Sequence, residues 1–412
     1  MPDTVILGSG IIGLSTAYYL SQSGNTPPES IHLVDPIAEL FHCASGYAGG
    51  FLASDWFAPS VASLGALSFK LHRKLADEHD GWTRWGYNES TGLSYNQDSE
   101  DSEVAVGGSG EDWLANGTSR AEAAAASQAK AGVDGPVWLK RLEGGTLEVI
   151  SQDNSTAQID PFKFCRFLLE QCLARGVRLH QPAKAVAILK DANNVLSGVR
   201  ISEEGEESEI PCSRIIVSSG AWSPRVFSTL FPDATTRIPV TPLGGHSLIL
   251  RNPFFKETST EEVCHAVFAT DKLGFAPEFF SRKGGDVYLA GLNTTMIPLP
   301  DVASDAKPNP EAVDKMKACA AEMMGSIEGK DIETKRAALC FRPVTSSGRP
   351  ILDRVPDNKL GLRTRVGKEG GVFVAAGHGA WGISQSCATG LCLAELVEGR
   401  ETSANIKNLG LP

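Results

Sequence analysis

The chain has 412 residues, enough for two or three lobes at about 150 residues each and for an ample core. Hydrophobic residues make up 42% and charged residues 21%, which excludes a disordered or fibrous architecture. The formal net charge of −11 argues against a sequence-independent grip on nucleic acid or an anionic membrane, since both need a basic field. An anionic ligand has to be held by local dipoles. Nine cysteines are scattered with no Cys-x-x-Cys pair and no spacing suited to zinc, so free thiols in a reducing compartment and no metal are expected. No apolar run reaches the roughly 18 residues of a membrane span, and with a strand-like segment starting at Thr4 no signal sequence is expected. An intracellular protein is expected, without a transmembrane segment or a nucleic-acid partner.

Thr4-Val5-Ile6-Leu7 is a short apolar strand running into Gly8-Ser9-Gly10-Ile11-Ile12-Gly13 and a helix that Gly24, Pro27 and Pro28 stop. Ile31 to Val34 is a second buried strand, ending in Asp35-Pro36. Residues 60–80 read as a helix with Leu64, Leu67, Leu71 and Leu75 on one face and His72, Arg73, Lys74, Asp77 and Glu78 on the other. Residues 97–135, rich in Ser, Gly, Ala, Glu and Asp, read as a surface insertion. A helix from Asp160 to Gly176 follows, then strands near Val177–Leu179, Ala185–Leu189, Leu196–Ile201 and Arg214–Ser218. Strand-like runs at His246–Leu250 and Val287–Leu292 precede a helix around 310–325. Val372–Ala375 then leads through Gly377-His378-Gly379 into a last helix. A strand, glycine turn and helix thus occur at both ends, which predicts one domain built from distant segments with another inserted.

In Gly8-x-Gly10-x-x-Gly13 the first glycine permits the tight turn, the second lets backbone approach a pyrophosphate and the third lets helix pack on strand. The helix N-terminus adds the positive end of a dipole. Asp35 lies 22 positions after Gly13, where a ribose-binding carboxylate belongs, so dinucleotide binding is expected and NADP is disfavoured.

With these residues in view, the sequence resembles the D-amino-acid oxidase, glycine oxidase and sarcosine oxidase group of FAD-dependent oxidoreductases. Ala44-Ser45-Gly46-Tyr47-Ala48-Gly49-Gly50-Phe51-Leu52 is similar to that family's small-residue loop beside the FAD pyrophosphate and flavin ring. Gln158-Ile159-Asp160-Pro161 resembles its approach to the helix before the adenine-contacting strand, which implies Val186 at the adenine. Ser218-Ser219-Gly220-Ala221-Trp222-Ser223, Phe341-Arg342-Pro343-Val344-Thr345 and Gly377-His378-Gly379-Ala380-Trp381-Gly382-Ile383 match further landmarks in the right order. Closer similarity, carried by Ala48 to Trp56, Trp85-Gly86-Tyr87 and Gly245-His246-Ser247, points to a fungal and plant branch whose yeast member is linked to late-endosome-to-Golgi transport. That branch implies a cytoplasmic chain or one held peripherally at endosomes.

The resemblance implies an α/β protein: a Rossmann-like FAD-binding domain (1–85, 150–236 and 340–412) with an inserted mixed-sheet α+β substrate domain (86–149 and 237–339). It implies oxidation of a secondary amine or amino acid to an imine by hydride transfer to flavin N5, with oxygen or another acceptor taking the electrons. Arg342 is expected to bind a substrate carboxylate. His246 matches a position near the flavin, and the glycines around His378 are expected to face reduced flavin. Cys340 falls where sarcosine oxidases attach FAD covalently, yet the Phe-Arg-Pro that follows it resembles glycine oxidase, so non-covalent FAD is expected. Tyr288 stands where sarcosine oxidases carry an oxygen-activating lysine, with Lys283 nearby on a turn. The rival reading is a trafficking or scaffold protein that keeps FAD for stability.

Overall fold

The computed structural model describes residues 3–97, 130–131, 135–256, 263–269, 275–325, 327 and 331–412, and most of the expected insertion at 97–135 lies outside them. Six strands form one sheet in the order Ile351–Val355, Gly371–Ala376, Arg214–Val217, Thr4–Leu7, Ile31–Val34, Arg178–His180. All pairs are parallel except the first. Parallel strands are covered on both faces and so read as unbroken apolar runs. Accordingly every residue of Thr4–Leu7, Ile31–Val34, Arg214–Val217 and Gly371–Ala376 is buried.

One face of this sheet, carrying Ile6, Leu33, Ile216 and Phe373, packs on the helices Ile11–Gln22, Pro161–Arg175 and Gly382–Val397. The other, carrying Val5, Leu7, Ile215 and Val374, packs on helix Ser223–Leu230 and on a three-stranded antiparallel sheet of Ala183–Lys190, Leu196–Glu203 and Glu206–Pro211. Helix Pro161–Arg175 ends where its sequence says it should. The Asp160 carboxylate accepts the Phe162 and Lys163 N–H groups, and Gly176 closes the helix in the left-handed region at φ 103°.

The second layer is a ten-stranded mixed sheet. Its path runs Thr334–Val344, Thr241–Arg251, Asp286–Thr294, Glu278–Arg282, Cys264–Ala269, Asn88–Asn96, Thr146–Val149, Lys130–Ala131. Phe51–Ala53 and Thr156–Gln158 attach beside it. Side chains alternate across each strand. Leu248, Leu250 and Leu289 face helix Pro310–Met323, and Ile249, Phe280 and Tyr288 face back toward Phe51 and Trp381.

One expectation is corrected here. His72, assigned to the polar face of the helix now seen at Pro59–Glu78, is fully buried against the C-terminal helix. Its Nε2 lies 2.9 Å from the Ile383 carbonyl oxygen, so Nε2–H donates. The helix is sandwiched more deeply than a surface amphipathic helix, and a residue one position from Leu71 still turns inward.

Burial pushes the His72 pKa down to about 4. An unfolded histidine titrates near 6.5, so below that pH the unfolded chain binds a proton the folded chain refuses, and stability falls as pH falls toward 4. His72 alone should account for about 2 kcal/mol of lost stability between pH 7 and pH 5. Urea unfolding at the two pH values checks this: His72→Gln should flatten the pH dependence by that amount, whatever its effect at pH 7.

Candidate active site

A cleft opens at the carboxyl ends of the parallel strands, where open α/β sheets bind ligands. It runs on to the large sheet, with about 1810 Å³ of space including its mouth. Leu7, Gly8, Val34, Asp35, Ser218 and Ala376 stand at its near end. Gly8 turns at φ 104°, and a Cβ there would meet the Ser218 carbonyl oxygen at 2.8 Å. A Cβ at Gly13 would lie 2.0 Å from the Gly8 oxygen, so the helix can approach the strand only without one. Gly10 is the helix N-cap, and the nearest atom to a Cβ there is the Ser45 Oγ, at 2.9 Å on the cleft wall. The Asp35 carboxylate accepts the Ser9 N–H (2.7 Å) and the Ile37 N–H (3.2 Å), which fixes it at the rim. The Ser45 hydroxyl accepts the Ile11 N–H at 2.9 Å.

Of the residues expected at a cofactor, Gly8, Gly10, Ile11, Ile12, Asp35, Pro36, Ala44, Ser45, Gly49, Ser219, Gly220, Trp222, Cys340, Arg342, His378, Gly379, Gly382 and Ile383 line this one cleft. Others shape it from behind. Ser9 and Gly13 act through the contacts just described, and Gly46 and Gly50 sit where a Cβ would strike the Phe41 and Ile159 carbonyl oxygens at 2.2 and 2.0 Å. Gly377 turns at φ 80°. Phe51, Leu52 and Trp381 belong to the packing underneath.

Two expected residues are elsewhere. Val186 is not in the wall: Ala183, Lys184 and Ala185 are, and Val186 is the extra residue of a bulge between the pairs Ala185–Ile201 and Ala187–Arg200. His246 points away from the cleft. Gly245 faces Arg342, so by alternation its neighbour faces the helix side, where the His246 Nε2 accepts the Asn309 N–H at 3.1 Å. Burial, with Arg342 adding to it, lowers its pKa. A neutral imidazole committed to capping that helix has no reach to the cleft.

At the far end, Glu278, Phe280, Tyr288, Cys340 and Arg342 converge from three strands of the large sheet. Arg342 Nη1 donates to Asn293 Oδ1 at 2.7 Å. The guanidinium occupies the space over Gly245, where a Cβ would come within 1.7 Å of Nη1. Tyr288 stacks on Phe280 with centroids 5.8 Å apart, and its hydroxyl lies beside Ser247 and Arg342. Lys283 is outside, donating to the Trp82 carbonyl at 3.0 Å. Trp56 and Phe57 pack on Phe51 and Trp381, and Trp85 and Tyr87 are core. Glu278 and Phe280 carry no signal in the sequence: carboxylates and phenylalanines are too common on strands to mark a site.

His378, at the start of the C-terminal helix, is held by Thr389 (Nε2 to Oγ1, 3.1 Å), and burial drives its pKa down to about 3. It is therefore neutral, and positive potential here comes from the helix terminus rather than from imidazolium.

Residues 3–396 match the family described as FAD dependent oxidoreductase. The chain belongs to that family. It is 27% identical to the "Putative oxidoreductase C1F5.03c" of Schizosaccharomyces pombe, over 98% of this chain and 96% of that one. In fold it is similar to iminodiacetate oxidase from Chelativorans sp. BNC1 (TM-score 0.72, 19% identity, 99% and 98% of the two chains). It is also similar to glycine oxidase from Geobacillus kaustophilus (TM-score 0.70, 20% identity, 100% and 98%). The fold is thus the mixed α/β fold of the FAD-dependent amino-acid oxidases, and the cofactor is FAD. The cleft fits it: a glycine turn and helix start for a pyrophosphate, a carboxylate beside them for a ribose, and the stacked Phe280 and Tyr288 rings at the far end for a ring system. Among the described residues no group of side chains is arranged to hold a metal, and no helix is long and apolar enough to cross a membrane.

Gly10→Val should abolish FAD binding by placing a branched side chain in the cleft, while the fold persists. Flavin absorbance and fluorescence of the purified variant, beside circular dichroism, measure both.

Proposed function

We propose that this flavoenzyme oxidises a small secondary amine or amino acid carrying a carboxylate, giving the imine. The observation that carries the reading is Arg342, a guanidinium in the cleft wall, oriented by Asn293 and seated over Gly245. A forked cation fixed in this way suits bidentate capture of a carboxylate. FAD supplies the hydride acceptor when bound, and oxygen or another acceptor reoxidises it. The chain's own task is orientation: Arg342 anchors the anionic end, and Tyr288 and Phe280 form an apolar floor that excludes water. The near-end residues Gly10, Ser45 and Asp35 and the turn at Gly379–Gly382 hold the cofactor. An anaerobic screen of amines and amino acids, read as loss of the flavin absorbance band, tests the reading. A holoprotein that no such compound bleaches would refute it.

Arg342→Met should weaken binding of a carboxylate ligand by roughly 2–5 kcal/mol, and Lys should not restore it. Gly245→Ala should displace the same guanidinium and lose most of that affinity with FAD still bound. Titrating small carboxylates against the flavin spectrum of each variant measures both effects.

We also propose that FAD is held without a covalent bond. Burial raises the Cys340 pKa despite the opposing pull of Arg342 and Arg336, so the nucleophilic thiolate is disfavoured. After acid precipitation the yellow colour should stay in the supernatant; colour in the wild-type pellet that Cys340→Ala lacks would show a thioether.

A further inference from the structure

Arg282 ends the strand Glu278–Arg282, next to a glycine turn, and its sequence setting reads as surface. Its side chain is instead 9% exposed. One nitrogen, Nη2, donates to two carbonyls of the cleft-lining loop, Ala48 (2.8 Å) and Gly49 (3.0 Å). The guanidinium carbon lies 5.5 Å from the centre of the Tyr288 ring. Its one ion pair among the described residues is with Asp160, at 3.9 Å. The other Asp160 oxygen caps helix Pro161–Arg175. Gly49 itself is pressed onto Phe280, where a Cβ would come within 2.4 Å of the ring. A nearly buried cation thus sits directly behind two cleft-lining surfaces, with its one carboxylate contact stretched to 3.9 Å and its cross-strand neighbour Asp286 already paired with Arg251 and Lys335. In a medium of low effective dielectric such a charge acts over several ångströms. Reduction adds negative charge to a flavin, so a fixed cation close behind its cleft favours the reduced form.

We propose that Arg282 is a positioning residue with an electrostatic role: it ties the Ala48–Gly49 loop to the Tyr288 floor, and its poorly compensated charge raises the reduction potential of the bound flavin. The proposal concerns bound FAD and no substrate, so its test stands apart from that of amine oxidation.

The test is an anaerobic redox titration of the holoprotein against indicator dyes, with FAD release measured in parallel. Arg282→Met should shift the oxidised-to-reduced equilibrium at least tenfold toward oxidised flavin, about 30 mV for a two-electron couple. Arg282→Lys keeps the charge and should stay within threefold of wild type, yet release FAD faster because the lysine stem is one bond shorter and does not carry its ammonium to where Nη2 meets both carbonyls. Asp160→Asn can still cap the helix but removes the compensating charge, so it should shift the equilibrium at least threefold the other way. An Arg282→Met holoprotein with the wild-type potential would overturn the proposal, as would methionine and lysine variants shifted alike. If Arg282→Met retains no FAD, Asp160→Asn decides: a raised potential supports the proposal, and an unchanged or lowered one overturns it.

Discussion

A Cβ at Gly13 would lie 2.0 Å from the Gly8 carbonyl oxygen, and one at Gly8 would lie 2.8 Å from that of Ser218. Helix Ile11–Gln22 can therefore sit against the strand that feeds it, and that strand against Arg214–Val217, only while both positions carry no side chain. From this contact the rest of the near end follows. The chain leaves the sheet between the carboxyl ends of Ile31–Val34 and Arg214–Val217. Ser9 is brought under the Asp35 carboxylate. The helix starts pointing into the cleft, with Ser45 holding its first N–H. Each of these orients backbone N–H groups, and a chain of net charge −11 can in this way hold an anionic cofactor without a basic surface.

The far end works by the opposite device. There the electrostatics are carried by guanidinium groups on the large sheet: Arg342 in the wall, Arg282 behind it, and Arg336 over the Tyr47 ring. Dipoles are fixed by the fold and cannot be mislaid, whereas a guanidinium on a flexible stem has to be seated. Arg342 is seated by Asn293 and by the missing side chain of Gly245, and Arg282 by two carbonyls. The cleft thus joins a part whose geometry comes from helix and strand ends to a part whose geometry comes from side-chain packing.

That division decides what could be read from the sequence. The parallel sheet was legible because strands covered on both faces are short apolar runs, and the glycine turn was legible because its spacing is local. Arg342 was legible through the Phe-Arg-Pro setting that this family shares. The rest depends on partners far away in the chain. His246 was misplaced because its face is set by parity along a strand, and parity is fixed by Gly245 meeting Arg342, almost a hundred positions away. Val186 falls in a bulge that belongs to a pairing with Arg200 and Ile201. His72 looked polar beside charged neighbours and became core when the C-terminal helix closed over it. Arg282, beside Lys283 and two glycines, has the local signature of an exposed turn. Only the carbonyls of Ala48 and Gly49, brought from the other layer, make it interior.

These cross-layer contacts also limit how independently the two ends can move. Gly49 touches Phe280 too closely to admit a methyl group, and the Gly49 carbonyl is held from one side by Arg282 and from the other by Gln158 (Nε2 to oxygen, 2.6 Å). Phe280 stacks on Tyr288, and Tyr288 lies beside Arg342. The path from the loop at the cofactor to the guanidinium at the far end therefore runs through three contacts with no free space in the first. Close-packed interiors transmit displacement rather than absorb it. A substitution at Gly49 cannot relax by moving the loop alone, since the loop is tied on both sides; it has to move Phe280, then Tyr288 and the space Arg342 occupies. Cofactor seating and substrate anchoring are in this sense one packing problem, solved by glycines at 49 and 245 and by the arginines that fill the room they leave.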